Sequence, residues 1–379
     1  MSSSGVLDTH IHLWPSTATS SSNHGWMSPG HHLAKRHGIS DYLTITSPQP
    51  FGFIYVETDR YLPSAEPPSI NESDNDEDVK AKLLTWAKEP LEELRFLARI
   101  VEGKPEEGDG FVESEAKKMK GCVIYAPFHC TPRVFKAYLD VARKVAGPKL
   151  WQHVKGFRYL LQGKGDGVVA KMLQESEESW IQNLCALKRL EGGCEAWCFD
   201  VGVDTHRDGE EPMKAVGKLI AGLRQYEEKE GHENRVKFVL TDSDTNPDHL
   251  AKPPLSPDPT PPSDVWLQTM TSLSSDKAIF MKLSGAFNEF TVSPTPSDVP
   301  TLLTALTPFL NHIFQCFPGR VMFGSDWPVC NVGGPAGEQG SWKLWREVVK
   351  TWMDRKGYVE EEKQEVWREA GEEAYGVAL

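Results

Sequence analysis

The chain of 379 residues predicts a single (β/α)8 barrel carrying loop insertions. Three observations lead there. Eight short apolar runs are separated, for the most part, by amphipathic stretches of helical period, the pattern of βα units and a parallel sheet. Histidines close the first run, at His10 and His12, and a carboxylate, Asp326, closes the last. These ends meet in space only if the sheet closes on itself. Finally, no Gly-x-Gly-x-x-Gly follows the first run and no Walker A string occurs, which removes the main nucleotide-binding open sheets.

The runs expected as strands are 6–13, 51–58, 121–127, 154–161, 196–203, 236–241, 278–284 and 320–325. Helical period is expected over Val79 to Ile100, Pro132 to Val145, Gly167 to Leu190, Glu211 to Glu230 and Asp298 to Cys316. Three segments break the rhythm. Residues 63–78 are proline-rich and then acidic, 103–118 are rich in Gly, Glu and Lys, and 251–263 carry six prolines in thirteen positions. Too polar to bury a core of their own, they read as flexible surface insertions within one domain spanning 1–379, because strands continue on both sides. Beyond Ser341 the tail is helical and holds Trp342, Trp345, Trp352 and Trp367. A final helix pair packed on the barrel is expected there, in preference to a partner surface.

Composition bounds the partners. A formal net charge of −13 argues against nucleic acid or an anionic membrane and leaves a small molecule as the expected partner. It does not exclude an anionic substrate, since local charge can oppose the global sign. Self-association stays open. Seven cysteines, an odd number in a long chain, read as reduced thiols, and Cys198 as a structural one. No run approaches the roughly 20 apolar residues of a membrane span. Met1 to Gly5 lacks a basic n-region and an apolar h-region. The expected location is the cytoplasm.

His10 and His12, at i and i+2 on a strand, share one face, and two imidazoles on one face are half of a metal site. At the C-terminal end of a barrel strand that face is the active-site mouth. Gly324, just before Asp326, allows close backbone approach. Glu57 ends the second strand and either lines the mouth as a substrate contact or pairs with a nearby base. Arg158 on the fourth strand is read as functional, since an inward arginine seldom serves neutral packing. Lys282, in an apolar strand, faces either the mouth or a buried acid. Trp327 and Trp14 form either an aromatic wall for substrate or part of the core. His24, His31 and His32 lie in a Ser/Gly-rich loop and are expected at the surface, while His129 and His153 are expected to be ordinary.

Five strings occur in order: Asp8-Thr9-His10-Ile11-His12-Leu13-Trp14, Lys155-Gly156-Phe157-Arg158, Asp248-His249-Leu250-Ala251-Lys252-Pro253, Met281-Lys282-Leu283-Ser284-Gly285 and Phe323-Gly324-Ser325-Asp326-Trp327-Pro328. Together they resemble the amidohydrolase superfamily. Within it they are similar to the amidohydrolase-related branch of sugar-lactone hydrolases, such as fungal L-rhamnono-1,4-lactonase and bacterial L-fuconolactonase. The resemblance implies a hydrolase of carbohydrate metabolism that opens the ester of a sugar-derived lactone with one divalent metal, most simply zinc. By that resemblance His10 and His12 match metal ligands, and Asp326 matches the acid that ligates metal, activates water or does both. His249 matches an assisting histidine, and Arg158 and Lys282 match groups that grip substrate oxygens. Two departures stand out. Thr241 to Pro247 intervene before Asp248-His249, leaving open whether His249 reaches the site or Asp242 takes its place. The fifth strand, Phe199 to Val203, lacks a histidine, which favours one metal over two; His206 beyond it is read as a loop residue. The alternatives are a superfamily decarboxylase of an aromatic or muconate-type acid and a non-catalytic barrel with a disrupted site.

Overall fold

The computed structural model describes residues 5–71, 73–165, 167–188, 196–203, 208–231, 234–241, 261–287, 290 and 294–377. The strands are β1 (Leu7–Ile11), β2 (Gly52–Val56), β3 (Met119–Tyr125), β4 (Val154–Arg158), β5 (Cys198–Gly202), β6 (Lys237–Thr241), β7 (Ile279–Leu283) and β8 (Val321–Phe323). They lie in chain order in one parallel sheet, and each overlaps an expected run. Helices fill the connections, so the fold is the (β/α)8 barrel.

Local chemistry explains where helices differ from expectation. The stretch from Val79 to Ile100 is two helices, α2 (Asp76–Trp86) and α3 (Lys88–Glu102), broken at Ala87. Pro90 has no N–H for an unbroken helix, but it fits the first turn of a new one. The acidic end of the 63–78 segment supplies the first turn of α2. Asn75 caps it by accepting from the Asp78 N–H at 3.0 Å, and Asp76, Glu77 and Asp78 sit at the positive end of the helix dipole. Residues 103–118 are likewise tied down, since Arg99 clasps Asp109 with two bonds of 2.7 Å. The stretch from Gly167 divides at Ser176 into Val168–Glu175 and Glu177–Cys185.

Inside the barrel the side chains are layered. Ile54, Val56, Val123, Cys198, Val239, Phe280 and Met322 form an apolar cluster with Ala370, Ala374, Tyr375 and Val377 of the C-terminal segment. Two residues further along β4, β5 and β7, the same inward face carries Arg158, Asp200 and Lys282, all fully buried. Gly156 makes room in the apolar layer, as a Cβ there would meet Cys198 Sγ at 2.5 Å.

The last gap in the barrel, between β8 and β1, is closed just beyond the strands. His12 N–H donates to Trp327 O at 2.7 Å and Asp326 N–H to His10 O at 2.9 Å. The Thr9 hydroxyl donates to Phe323 O at 2.7 Å. Pairing of β1 with β2 shifts register between Asp8 and Ile11. Asp8 therefore engages the outer helices instead of sharing the face of His10 and His12. Its carboxylate accepts from Tyr42 Oη at 2.7 Å, Trp342 Nε1 at 3.0 Å and the Ser325 N–H at 2.8 Å. Trp342 and Trp345 belong to the helix Gly337–Lys356, and Trp345 Nε1 donates to Gly324 O at 2.9 Å. Those tryptophans thus pack on the barrel and brace its seam. Among the described residues no helix is long and apolar enough to cross a membrane.

Replacing Asp8 by Ala strands three buried donors. At roughly 1–3 kcal/mol each, the variant is expected to lose at least about 3 kcal/mol, read as a lower urea midpoint; a change under about 1 kcal/mol would refute the bracing role.

Candidate active site

The seam places three donor atoms in one spot. His10 Nε2 lies 3.6 Å and His12 Nε2 3.2 Å from Asp326 Oδ1, with all three side chains fully buried. Backbone geometry sets this up. Asp326 adopts a positive φ of 54°, rare for a side-chain-bearing residue. Gly324 lets the last strand approach the first, since a Cβ there would sit 2.9 Å from His10 Cβ.

The opposite ring nitrogens are held. His12 Nδ1 faces the Val56 carbonyl at 2.8 Å; a carbonyl only accepts, so Nδ1 carries the proton and Nε2 keeps its lone pair. His10 Nδ1 meets the Ser284 hydroxyl, which can donate or accept and so orients the ring without fixing its tautomer. Burial, reinforced by the Arg158 charge, pulls the His12 pKa to about 3. Burial and then Lys282 hold His10 well below its ordinary value. Both rings are therefore neutral near pH 7. Neither Nε2 has a hydrogen-bond partner among the described residues. Two neutral imidazoles and a carboxylate turn Nε2, Nε2 and Oδ1 toward one point, an arrangement that a divalent cation satisfies. The donor set, two imidazoles and a carboxylate, is one zinc accepts.

Two buried ion pairs flank this point. Arg158 Nε donates to Glu57 Oε1 at 2.5 Å and its Nη2 to Glu57 O at 2.5 Å. Glu57 Oε2 accepts the Asp59 N–H at 2.7 Å. Lys282 Nζ donates to Asp200 Oδ2 at 2.8 Å, and the Tyr375 hydroxyl donates to the same carboxylate at 2.9 Å. Burial opposes the charge on each cation. Glu57 raises Arg158 above its usual value nonetheless, whereas Lys282 stays lowered despite Asp200.

Of the residues singled out from the sequence, His10, His12 and Asp326 converge, and Arg158 and Lys282 stand beside them. Glu57 is found as the partner of Arg158, with both carboxylate oxygens engaged, so the structural alternative describes it better than substrate contact. Trp327 is buried, its indole packed on His37 and Tyr42 at 5.3 Å each, so core describes its ring better than a substrate wall. Its backbone carbonyl serves the seam. Trp14 is also core, against His24, Trp26 and His37. His24 corrects a surface expectation. It is fully buried, with Nε2 3.0 Å from Thr58 Oγ1, because the loop after β1 folds down over β2. His249, Asp242, Asp248 and His206 lie outside the described residues. Sequence reasoning missed Asp200 and Ser284 as partners. The signal available for Ser284 was its place two residues beyond Lys282, on the same side of the strand.

A family model described as amidohydrolase matches residues 243–366. The chain is 26% identical over 391 aligned residues to L-rhamnono-gamma-lactonase of Scheffersomyces stipitis, covering 100% of both proteins. It is 33% identical over 130 residues to L-fucono-1,5-lactonase of Burkholderia ambifaria, covering 34% of this chain and 37% of that protein. Among solved structures, an amidohydrolase of Burkholderia multivorans with bound zinc superposes with a TM-score of 0.59 at 18% identity, covering 98% of this chain and 99% of that one. An amidohydrolase of Bifidobacterium longum gives 0.53 at 13%, covering 98% and 99%. The two structural likenesses speak for the fold.

Glu57→Gln and Asp200→Asn each leave a buried cation without a carboxylate. Each is expected to cost about 3 kcal/mol or more in urea unfolding; near-wild-type stability in both would show that the pairs do not hold the barrel interior.

Proposed function

We propose that this chain, a barrel resembling sugar lactonases of the amidohydrolase superfamily, is a metal-dependent hydrolase opening the ester ring of a sugar-derived lactone. The observation that carries this reading is the convergence of His10 Nε2, His12 Nε2 and Asp326 Oδ1 beside two buried cations. The aldono-1,4-lactone class is favoured because the relative aligned over the full chain is named a gamma-lactonase.

His10, His12 and Asp326 are the residues that would hold the metal. When bound, a divalent ion such as zinc supplies a Lewis acid for the carbonyl and lowers the pKa of water to about 7. Lactone opening also needs a base and positive charge at the developing oxyanion. The Asp326 carboxylate is assigned the further role of accepting the proton of the attacking water. Arg158 and Lys282 are assigned the positive charge that the oxyanion, and then the product carboxylate, would need. Glu57 and Asp200 fix the orientation of those two cations. The Val56 carbonyl keeps the His12 lone pair on Nε2, the tautomer a metal ligand needs, and Ser284 orients the His10 ring. His249 is assigned the assisting role on the resemblance alone. We place the enzyme in cytoplasmic carbohydrate metabolism, with a small-molecule substrate.

The test is proton release from a panel of 1,4- and 1,5-aldonolactones, with and without zinc, after subtraction of spontaneous hydrolysis. Zinc-dependent turnover is expected on at least one 1,4-lactone, with a loss of about 100-fold or more in Asp326→Asn. Absence of turnover on every lactone, or carbon dioxide release from an aromatic or muconate-type acid, would overturn the reading. Chelator competition supplies a second check. Ser284→Ala is expected to weaken zinc retention about 10- to 100-fold; unchanged retention would remove Ser284 from the proposal.

A further inference from the structure

We propose that Glu66, His129 and Cys130 form a second metal site, suited to a zinc-class ion, between the loops that follow β2 and β3. It shares no residue with the cluster at His10, His12 and Asp326 and does not rest on the lactonase reading.

The spacing is the primary observation. His129 Nε2 lies 3.5 Å from Glu66 Oε1 and 3.6 Å from Cys130 Sγ. The nitrogen–oxygen separation is long for a hydrogen bond, whose usual range ends near 3.2 Å. Tetrahedral bonds of about 2.0–2.1 Å to nitrogen and oxygen and about 2.3 Å to sulfur put the donors about 3.4 Å (N to O) and 3.6 Å (N to S) apart. Both observed separations match. Without an ion the thiol and the ring are within sulfur hydrogen-bond reach of each other, and the same three atoms face a common point where an ion would replace that contact.

The donor chemistry narrows the ion. One imidazole, one thiolate and one carboxylate make a mixed set that borderline-soft zinc accepts and that magnesium or calcium, which want oxygen, do not. Binding would send the thiol proton of Cys130 to solvent.

Two of the ligands are already held in place. The His129 ring packs on Tyr159, with centroids 4.8 Å apart. The Cys130 N–H donates to Pro127 O at 3.1 Å, and its carbonyl accepts from Asn183 Nδ2 at 2.8 Å. His129 and Cys130 are buried, while the Glu66 side chain is 75% exposed. The site is therefore anchored on its inner side and reachable by solvent on its outer side. An ion there would join two loops at the C-terminal end of the barrel, beside Tyr159, the residue after Arg158.

The experiment is a cadmium titration of the full-length protein in a phosphine reductant, following sulfur-to-metal charge-transfer absorption. That band reports a thiolate ligand, which the histidine–aspartate cluster does not contain. The wild type is expected to show the band, and Cys130→Ser to lose it. His10→Asn and Cys330→Ser are expected to keep it; Cys330 is the necessary control because its thiol lies 3.3 Å from Asp326 Oδ2. Glu66→Gln changes only an exposed side chain, so its melting temperature should hold while cadmium binds about 10-fold more weakly. The proposal is overturned by absence of the band in the wild type, by its survival in Cys130→Ser, or by unchanged affinity in Glu66→Gln.

Discussion

The seam between the first and last strands is the constraint on which the rest of this structure depends. The bonds that close the barrel, from His12 N–H to Trp327 O and from Asp326 N–H to His10 O, are made by the residues that build the candidate site. Closure and site assembly are thus one event. A one-residue slip of β8 against β1 would move Asp326 to the wrong face and break the barrel at the same time. The seam is reinforced from outside, where Asp8 gathers donors from Tyr42, Trp342 and Ser325, and Trp345 caps the Gly324 carbonyl. The tryptophan-rich tail is therefore part of what holds the site.

Buried charge is the second theme. The interior of the barrel has an apolar lower layer and a charged upper layer, and the transition takes two residues along β4, β5 and β7. Arg158 with Glu57, and Lys282 with Asp200, are buried pairs whose desolvation consumes much of their attraction. An apolar layer would be at least as stable in general terms. Charge retained at such cost, at the end of the barrel where βα loops build active sites, fits a role at the substrate. Tyr375 adds a link, since the C-terminal segment that plugs the bottom of the barrel also donates to Asp200, the carboxylate that holds Lys282.

Much of this was legible in the chain. The eight apolar runs mark the strands because buried parallel strands are apolar on both faces. The imidazole pair could be placed on one face by alternation alone, and the glycine before Asp326 does mark a close approach. Other features were not legible. Alternation assigns Asp8 to the face of His10, and only the register shift in β1 turns it outward. Pro90 could have been read as the break between α2 and α3, but an amphipathic period running through it masked the signal. His24 looked like a surface residue in a polar loop, and it is buried because that loop folds onto the barrel.

By itself the sequence determined where the eight strands lie along the chain, the residue types at the strand ends at His10, His12 and Asp326, and the presence of basic groups at Arg158 and Lys282. These follow from periodicities of two and 3.6 residues, which are local properties of a chain. The tertiary structure alone decided which acid meets which base, that Val56 sets the His12 tautomer while Ser284 orients His10, and that Glu66 stands against His129 and Cys130. Such pairings join residues tens to hundreds of positions apart. They depend on barrel closure, strand register and loop path, which no local pattern encodes.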